Sequence, residues 1–238
     1  MSLVHPDPSV TVADPARLAA VLRTGLSGTA SEETFDRMTR LATRLTGAPV
    51  SFFSLVSEDH DFFKSCHGVP GPLATSRVVT GRTFCHYSLL RNEPMRVSDA
   101  RTDVVLRNIP TVKTLGVVAY LGIPLQLSTG ERIGSMCVVD FKPREWSDDD
   151  VEVLQELAAS ALREVELRIS QNERSRSLEI LTSQLRDPLT IVQLNVDLVE
   201  EDLPAERGHE RIARIREACE RMESGLRRCL ELHRSDPV

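Results

Sequence analysis

Between Val151 and Asp187 the chain contains neither glycine nor proline, and apolar residues recur three and four apart at Val151, Leu154, Leu157, Ala158, Ala161, Leu162 and Val165. Such a run leaves no room for strands or tight turns and predicts one long helix. Ser147, followed by Asp148, Asp149 and Asp150, marks its start. A hydroxyl there caps free backbone amides, and carboxylates complement the positive end of the helix dipole. The chain therefore divides near this helix into a mixed α/β region upstream and an all-helical region downstream.

Upstream, helical spacing covers residues 17–26 and 32–45, the second with Ser31 as its expected N-cap and Gly47-Ala48-Pro49 as its stop. Residues 50–56 read as a buried strand and residues 61–66 as a second one. The polar turn between them places Asp59-His60-Asp61 in solvent rather than around a metal. A Gly/Pro-rich loop spans residues 68–74, followed by a short helix at 83–90 and a short strand at 95–97. Residues 99–113 form a polar segment over a cleft. Residues 117–127 and 133–141 read as adjacent strands joined by Ser128-Thr129-Gly130-Glu131, apolar on both faces and hence central to a sheet with helices on either side. Residues 1–14, rich in Pro, Asp and Val, are expected to form a mobile tail.

Downstream, Leu178, Leu181, Leu185, Pro188 and Val192 continue the helical spacing, and Leu203-Pro204-Ala205-Glu206-Arg207-Gly208 makes a turn. Ile212, Ile215, Cys219, Met222, Leu226 and Cys229 then alternate three and four apart. This is a coiled-coil seam on a helical hairpin, and a lone hairpin cannot cover it. Two hairpins from twin chains can, as a four-helix bundle. The expected architecture is therefore α+β, with a tail (1–14), a sensor-like domain (15–168) and a dimerising hairpin (169–238). The alternative is a hairpin folded back on its own first domain.

A net charge of −6 over 238 residues argues against a general nucleic-acid or anionic-membrane binder. No stretch approaches the roughly 18 apolar residues of a membrane span, and the N-terminus lacks the pattern of a signal peptide. The five cysteines are scattered without CxxC spacing, which predicts reduced thiols in the cytoplasm. No cofactor or metal is demanded by these residues.

Two resemblances refine this reading. The segments Val50-Ser51-Phe52-Phe53-Ser54-Leu55-Val56 with Phe62-Phe63-Lys64-Ser65, then Thr83-Phe84-Cys85-His86-Tyr87-Ser88-Leu89, then Gly122-Ile123-Pro124-Leu125 with Ile133-Gly134-Ser135-Met136-Cys137-Val138-Val139-Asp140, together resemble a GAF domain over residues 31–168. The resemblance implies an antiparallel sheet and a small-molecule pocket, with Phe84, Cys85, Tyr87, Asp99, Arg101 and Tyr120 as candidate lining residues. The cyclic-nucleotide signature of some relatives is absent. The segment Thr182-Ser183-Gln184-Leu185-Arg186-Asp187-Pro188-Leu189-Thr190 resembles the phosphoacceptor box of sensor histidine kinases, with Ser183 in place of the histidine and Gln184 in place of the acid. A serine hydroxyl forms no phosphoramidate, and glutamine has no titratable proton.

The resemblances imply a non-catalytic signalling protein in which a sensor passes a change of shape to a homodimeric hairpin. The hairpin's further partner would be a histidine kinase or response regulator, and the sensor's ligand an unidentified small molecule. Pro188, which lacks an amide donor, marks a bending point. No ATP-binding domain follows before Val238. Alternatives are a pigment protein using Cys66-His67 or Cys85-His86, a thiol redox protein using Cys85 and Cys137, and a phosphotransfer protein using His209 or His233.

Overall fold

The computed structural model describes residues 6–69, 71–200, 212–222 and 224–225, without the side chains of residues 193 and 195–200. It divides into two compact units, Met1–Ile169 and Ser170–Val238.

In the first unit, α1 (Ser9–Val12), α2 (Pro15–Arg23) and α3 (Glu33–Thr46) precede β1 (Val50–Val56) and β2 (His60–His67). Then come α4 (Leu73–Ser76), β3 (Val78–Thr80), α5 (Phe84–Ser88) and β4 (Met95–Val97). Two 3-10 turns, Ala100–Thr102 and Leu106–Asn108, lead to α6 (Pro110–Thr114), β5 (Ala119–Gln126), β6 (Arg132–Asp140) and the long α7 (Asp148–Glu200). The strands form one sheet in the order β3-β2-β1-β6-β5-β4, every neighbouring pair antiparallel.

Period-two alternation sorts side chains between the faces. Along β5, Ala119, Leu121, Ile123 and Leu125 enter one core, with Phe35, Met38 and Ala42 of α3 and Val151, Leu154, Ala158, Ala161 and Val165 of α7. Tyr120 points the other way, into a second core with Phe52, Phe63, Phe84, Cys85, Cys137 and Val139. The second core is roofed by α5 and by the 99–114 segment, which buries Ala100, Leu106 and Ile109. That segment covers the sheet as its place in the sequence suggested.

Local physics departs from the sequence reading in two places. Ser31 does not cap α3. Glu32 holds the N-cap position, and its carboxylate makes no bond to the helix amides. Its oxygens instead receive Lys64 Nζ at 2.5 Å and Arg168 Nη1 and Nη2 at 2.9 and 2.5 Å. Lys64 is fully buried, so it needs that negative charge more than the helix needs a cap. The N-terminal segment is not a free tail from Asp7 onward. Val12 is buried, Asp7 pairs with Arg82, and Arg17 donates to the carbonyls of Thr11, Val12 and Val56. Asp14 caps α2 by accepting from the amides of Ala16 and Arg17, with Pro15 as the first helical residue.

α7 begins as expected, with the Asp150 amide donating to Ser147 Oγ and the Ser147 amide to Asp150 Oδ2. The helix continues through Pro188. In the second unit, residues 212–222 are helical and Ala218 is fully buried. A Cβ built on Gly225 would lie 3.1 Å from Gln184 Oε1, so the two helical segments approach each other there.

Candidate functional site

Where β2, α5, β5 and β6 meet, polar and sulfur groups converge inside an otherwise apolar core. Thr83 caps α5, its Oγ1 accepting the Cys85 amide while its hydroxyl donates to Asp61 Oδ2 at 2.5 Å. The Thr83 amide donates to His86 Nδ1 at 3.2 Å, which closes a capping box with histidine in the role usually played by glutamate. Nδ1 is then an acceptor without a proton. Its 3.4 Å approach to Asp61 Oδ1 carries no hydrogen bond.

Asp61 has no exposed surface. Burial, reinforced by the charge of a Cys85 thiolate, pushes its carboxyl well above the usual carboxylate range. Oδ2 receives the Thr83 hydroxyl, and Oδ1 has no hydrogen-bond partner. Burial, together with the nearby Arg17 and Arg82 charges, lowers His86 to about 4, so its imidazole is neutral.

Tyr120 stacks on Phe84 with ring centroids 4.9 Å apart. Its hydroxyl lies 2.9 Å from Ser135 Oγ and 3.9 Å from Cys85 Sγ. The ring can lie there because the next same-face residue is Gly122, where a Cβ would collide with the phenol. Cys85 and Cys137 both border this cluster, and their ionisations influence each other. Cys85 is lowered to about 7, because its thiolate would accept from the Cys137 thiol and from Tyr120. Burial and the same bond push Cys137 up.

Beside this cluster is a cleft of about 40 Å³, lined by Asp61, Thr83, Cys85, Tyr120 and Cys137 at its polar end and by Phe52, Phe63, Val79, Phe84, Val117 and Val139 elsewhere. A second cleft of about 70 Å³ shares Phe52, Leu115, Val117 and Val139 with it and adds Val50, Val69, Leu73 and Phe141. Both are far below the several hundred Å³ of a drug-sized ligand site, so neither holds a tetrapyrrole as the protein stands.

Of the sequence candidates, Phe84, Cys85 and Tyr120 line the cleft. Tyr87 is buried in the same core without lining it. Asp99 and Arg101 do not reach it, and their expected place in the pocket is corrected. Asp99 caps the first 3-10 turn and pairs with Arg101 at 2.6 Å on the surface. Carboxylate and guanidinium satisfy each other in water, which leaves no reason to face an apolar cleft. Sequence reasoning missed Asp61, placed in a solvated turn, and Thr83. The available signal was β2 itself, in which residues 61 and 63 share a face.

Ser183 and Gln184, the altered phosphoacceptor positions, are exposed on α7. Among the seam candidates, Leu181, Leu185, Val192, Ile215 and Met222 are half-buried, while Leu178, Ile212 and Cys219 are exposed. Leu226, Cys229, His209, His233 and the turn at 203–208 lie outside the described residues. Among the described residues, no three His, Cys, Asp or Glu side chains are placed to hold a metal ion, and no helix is long and apolar enough to cross a membrane.

An antiparallel sheet with an enclosed cleft on one face and a long helix leaving the other is the build of a sensory signalling domain. The GAF domain family model matches residues 31–165, and the chain belongs to that family. A cyclic di-GMP phosphodiesterase of Pseudomonas aeruginosa is 27% identical over 159 residues, 66% of this chain and 26% of that protein. The chain thus spans about a quarter of that relative's length. The blue-light-absorbing form of the Thermosynechococcus elongatus PixJ GAF domain superposes with a TM-score of 0.51 at 14% identity, over 70% of this chain and 97% of that one. It establishes the fold alone. A domain described as that of a two-component sensor histidine kinase from Sinorhizobium meliloti gives a TM-score of 0.49 at 16% identity, over 62% of this chain and 99% of that one.

Proposed function

We propose that this protein is a non-catalytic signal transducer. Its GAF domain senses a small molecule at the sheet cleft, and α7 carries the response into a hairpin that resembles a histidine-kinase dimerisation domain without its phosphoacceptor. The hairpin pairs with a second copy as a four-helix bundle, and its downstream partner is a histidine kinase or response regulator. The work is done in the cytoplasm.

One observation carries this reading: α7 is a single helix that belongs to the sensor core at Val151–Val165 and bears Ser183 and Gln184 at the box positions. In support, the second unit leaves large apolar side chains uncovered, among them Leu178 at 63%, Leu194 at 60% and Ile212 at 50% exposed. Uncovered residues at helical spacing are what a partner hairpin would bury. The second helix turns Ile215, Ala218, Met222 and Gly225 away from solvent and leaves Ile212 and Cys219 outward. That arrangement divides one hairpin's own contacts from those offered to a twin. The match to the Pseudomonas phosphodiesterase covers a quarter of that protein and carries no activity over with it. A ligand shifts such a device only by binding one arrangement better, typically by about 1–3 kcal/mol.

Light scattering of the full chain tests the bundle. The wild type is expected at twice the chain mass. Leu178→Glu with Ile212→Glu, which places charges on apolar side chains offered to the twin, is expected at the chain mass with unchanged sheet signals. A monomeric wild type would remove the hairpin from the mechanism.

A further inference from the structure

Cys85 and Cys137 stand on two different elements, α5 and β6, in the interior of the sensor domain. They are 4% and 1% exposed and both border the 40 Å³ cleft, and the Tyr120 hydroxyl, 3.9 Å from Cys85 Sγ, lies against Gly122, the residue paired with Cys137 across β5 and β6. Of the remaining described cysteines, Cys66 is half-buried and Cys219 exposed. The volume admits roughly three water-sized molecules. A nucleotide or pigment does not enter it, but a reagent of two heavy atoms does. The polar end holds Asp61, whose Oδ1 is buried without a hydrogen-bond partner, together with the hydroxyls of Thr83 and Tyr120. An unsatisfied polar atom facing a water-sized space beside two thiols suits a small, polar, hydrogen-bonding guest.

We propose that Cys85 and Cys137 are a redox modification site, converted by hydrogen peroxide in the sheet cleft into a disulfide that ties α5 to β6. Cys85 Sγ attacks one peroxide oxygen and the O–O bond breaks. The proton released by Cys85 goes to the departing hydroxide, which leaves as water. Cys137 Sγ then attacks the sulfenic sulfur of Cys85. The S–S bond forms, the S–O bond breaks, and the second hydroxide takes the Cys137 proton. Two thiols and one peroxide become one disulfide and two waters. The lowered Cys85 and raised Cys137 agree with attack by the first and resolution by the second. The site is independent of whether the C-terminal helices pair with a twin.

The test uses the full chain with Cys66, Cys219 and Cys229 replaced by serine, so that only this pair remains. After exposure to equimolar hydrogen peroxide, the protein is denatured, treated with N-ethylmaleimide and weighed intact. Expected is a mass two hydrogens lower with no maleimide adduct, and two adducts after dithiothreitol. Adding Cys137→Ala should stop the reaction at a Cys85 sulfenic acid that dimedone captures. In urea, where the two thiols are no longer held together, disulfide formation should slow by at least about tenfold. Two adducts persisting after peroxide that fully oxidises Cys219 of the wild type would overturn the proposal. So would an intermolecular disulfide, or equal rates in urea and in buffer.

Discussion

Asp61 is a carboxyl group held where a carboxylate does not belong. Its pKa is raised by folding, so the folded state binds a proton that the unfolded chain releases above about 4. The resulting penalty is absent below the unfolded value and grows as pH rises toward the folded one. Asp61→Asn keeps an acceptor for Thr83 and removes the titration. It is expected to raise stability at pH 7, with the gain vanishing near pH 4, as read from urea midpoints across that range. A substitution that stabilises the fold marks a residue retained for something other than stability. Gly122 works by the opposite logic. Its missing Cβ is the space the Tyr120 phenol occupies. Gly122→Ala should therefore cost about 1–3 kcal/mol through overpacking, seen as a lower urea midpoint together with a changed tyrosine near-ultraviolet signal. Phe84, Cys85 and Tyr120 were legible as site residues through the family resemblance. Asp61 was not, because next to Asp59 and His60 it reads as one more polar turn residue. Only the strand's alternation turns it inward.

Among elements, the contact that joins β2, α3 and α7 runs through one carboxylate. Glu32 accepts from Lys64 on β2 and from Arg168 on α7. The Arg168 hydrogen bonds, then that from Lys64, lower it to about 2 from an ordinary 4.5. A depressed carboxylate contributes stability that is complete above pH 4.5 and is lost as pH falls through 2. Glu32→Gln should weaken that dependence between pH 4.5 and 2. At pH 7 it should destabilise by about 3 kcal/mol, because Lys64 stays buried without its counter-charge; chemical denaturation at each pH measures both. The failed expectation of a Ser31 cap has the same origin. Local capping rules describe what the helix end prefers, and a fully buried lysine some thirty residues further on outcompetes them. Strong periodicity made α3, β1, β5, β6 and the start of α7 readable. β3, with Val78 and Val79 side by side and both ends exposed, shows no alternation in its sequence and is recruited by pairing with β2.

In the molecule as a whole, the proposed bundle makes stability depend on concentration, since a partner that binds only the folded chain stabilises it by mass action. The thermal midpoint of the helical signal should rise as protein concentration is raised a hundredfold, and should stop rising in the Leu178→Glu, Ile212→Glu variant. A midpoint independent of concentration in both proteins would count against pairing. What could be read from residue order alone was the class: a mixed sheet domain followed by long helices, because side-chain period is a local property that survives without any knowledge of neighbours. The chemistry of the cleft could not be read that way. Asp61, the Thr83–Cys85 segment, Tyr120 and Cys137 stand on four separate stretches of chain, and only antiparallel pairing through β1 and β6, with α5 laid across them, brings a buried acid, a phenol and two thiols to one small cleft.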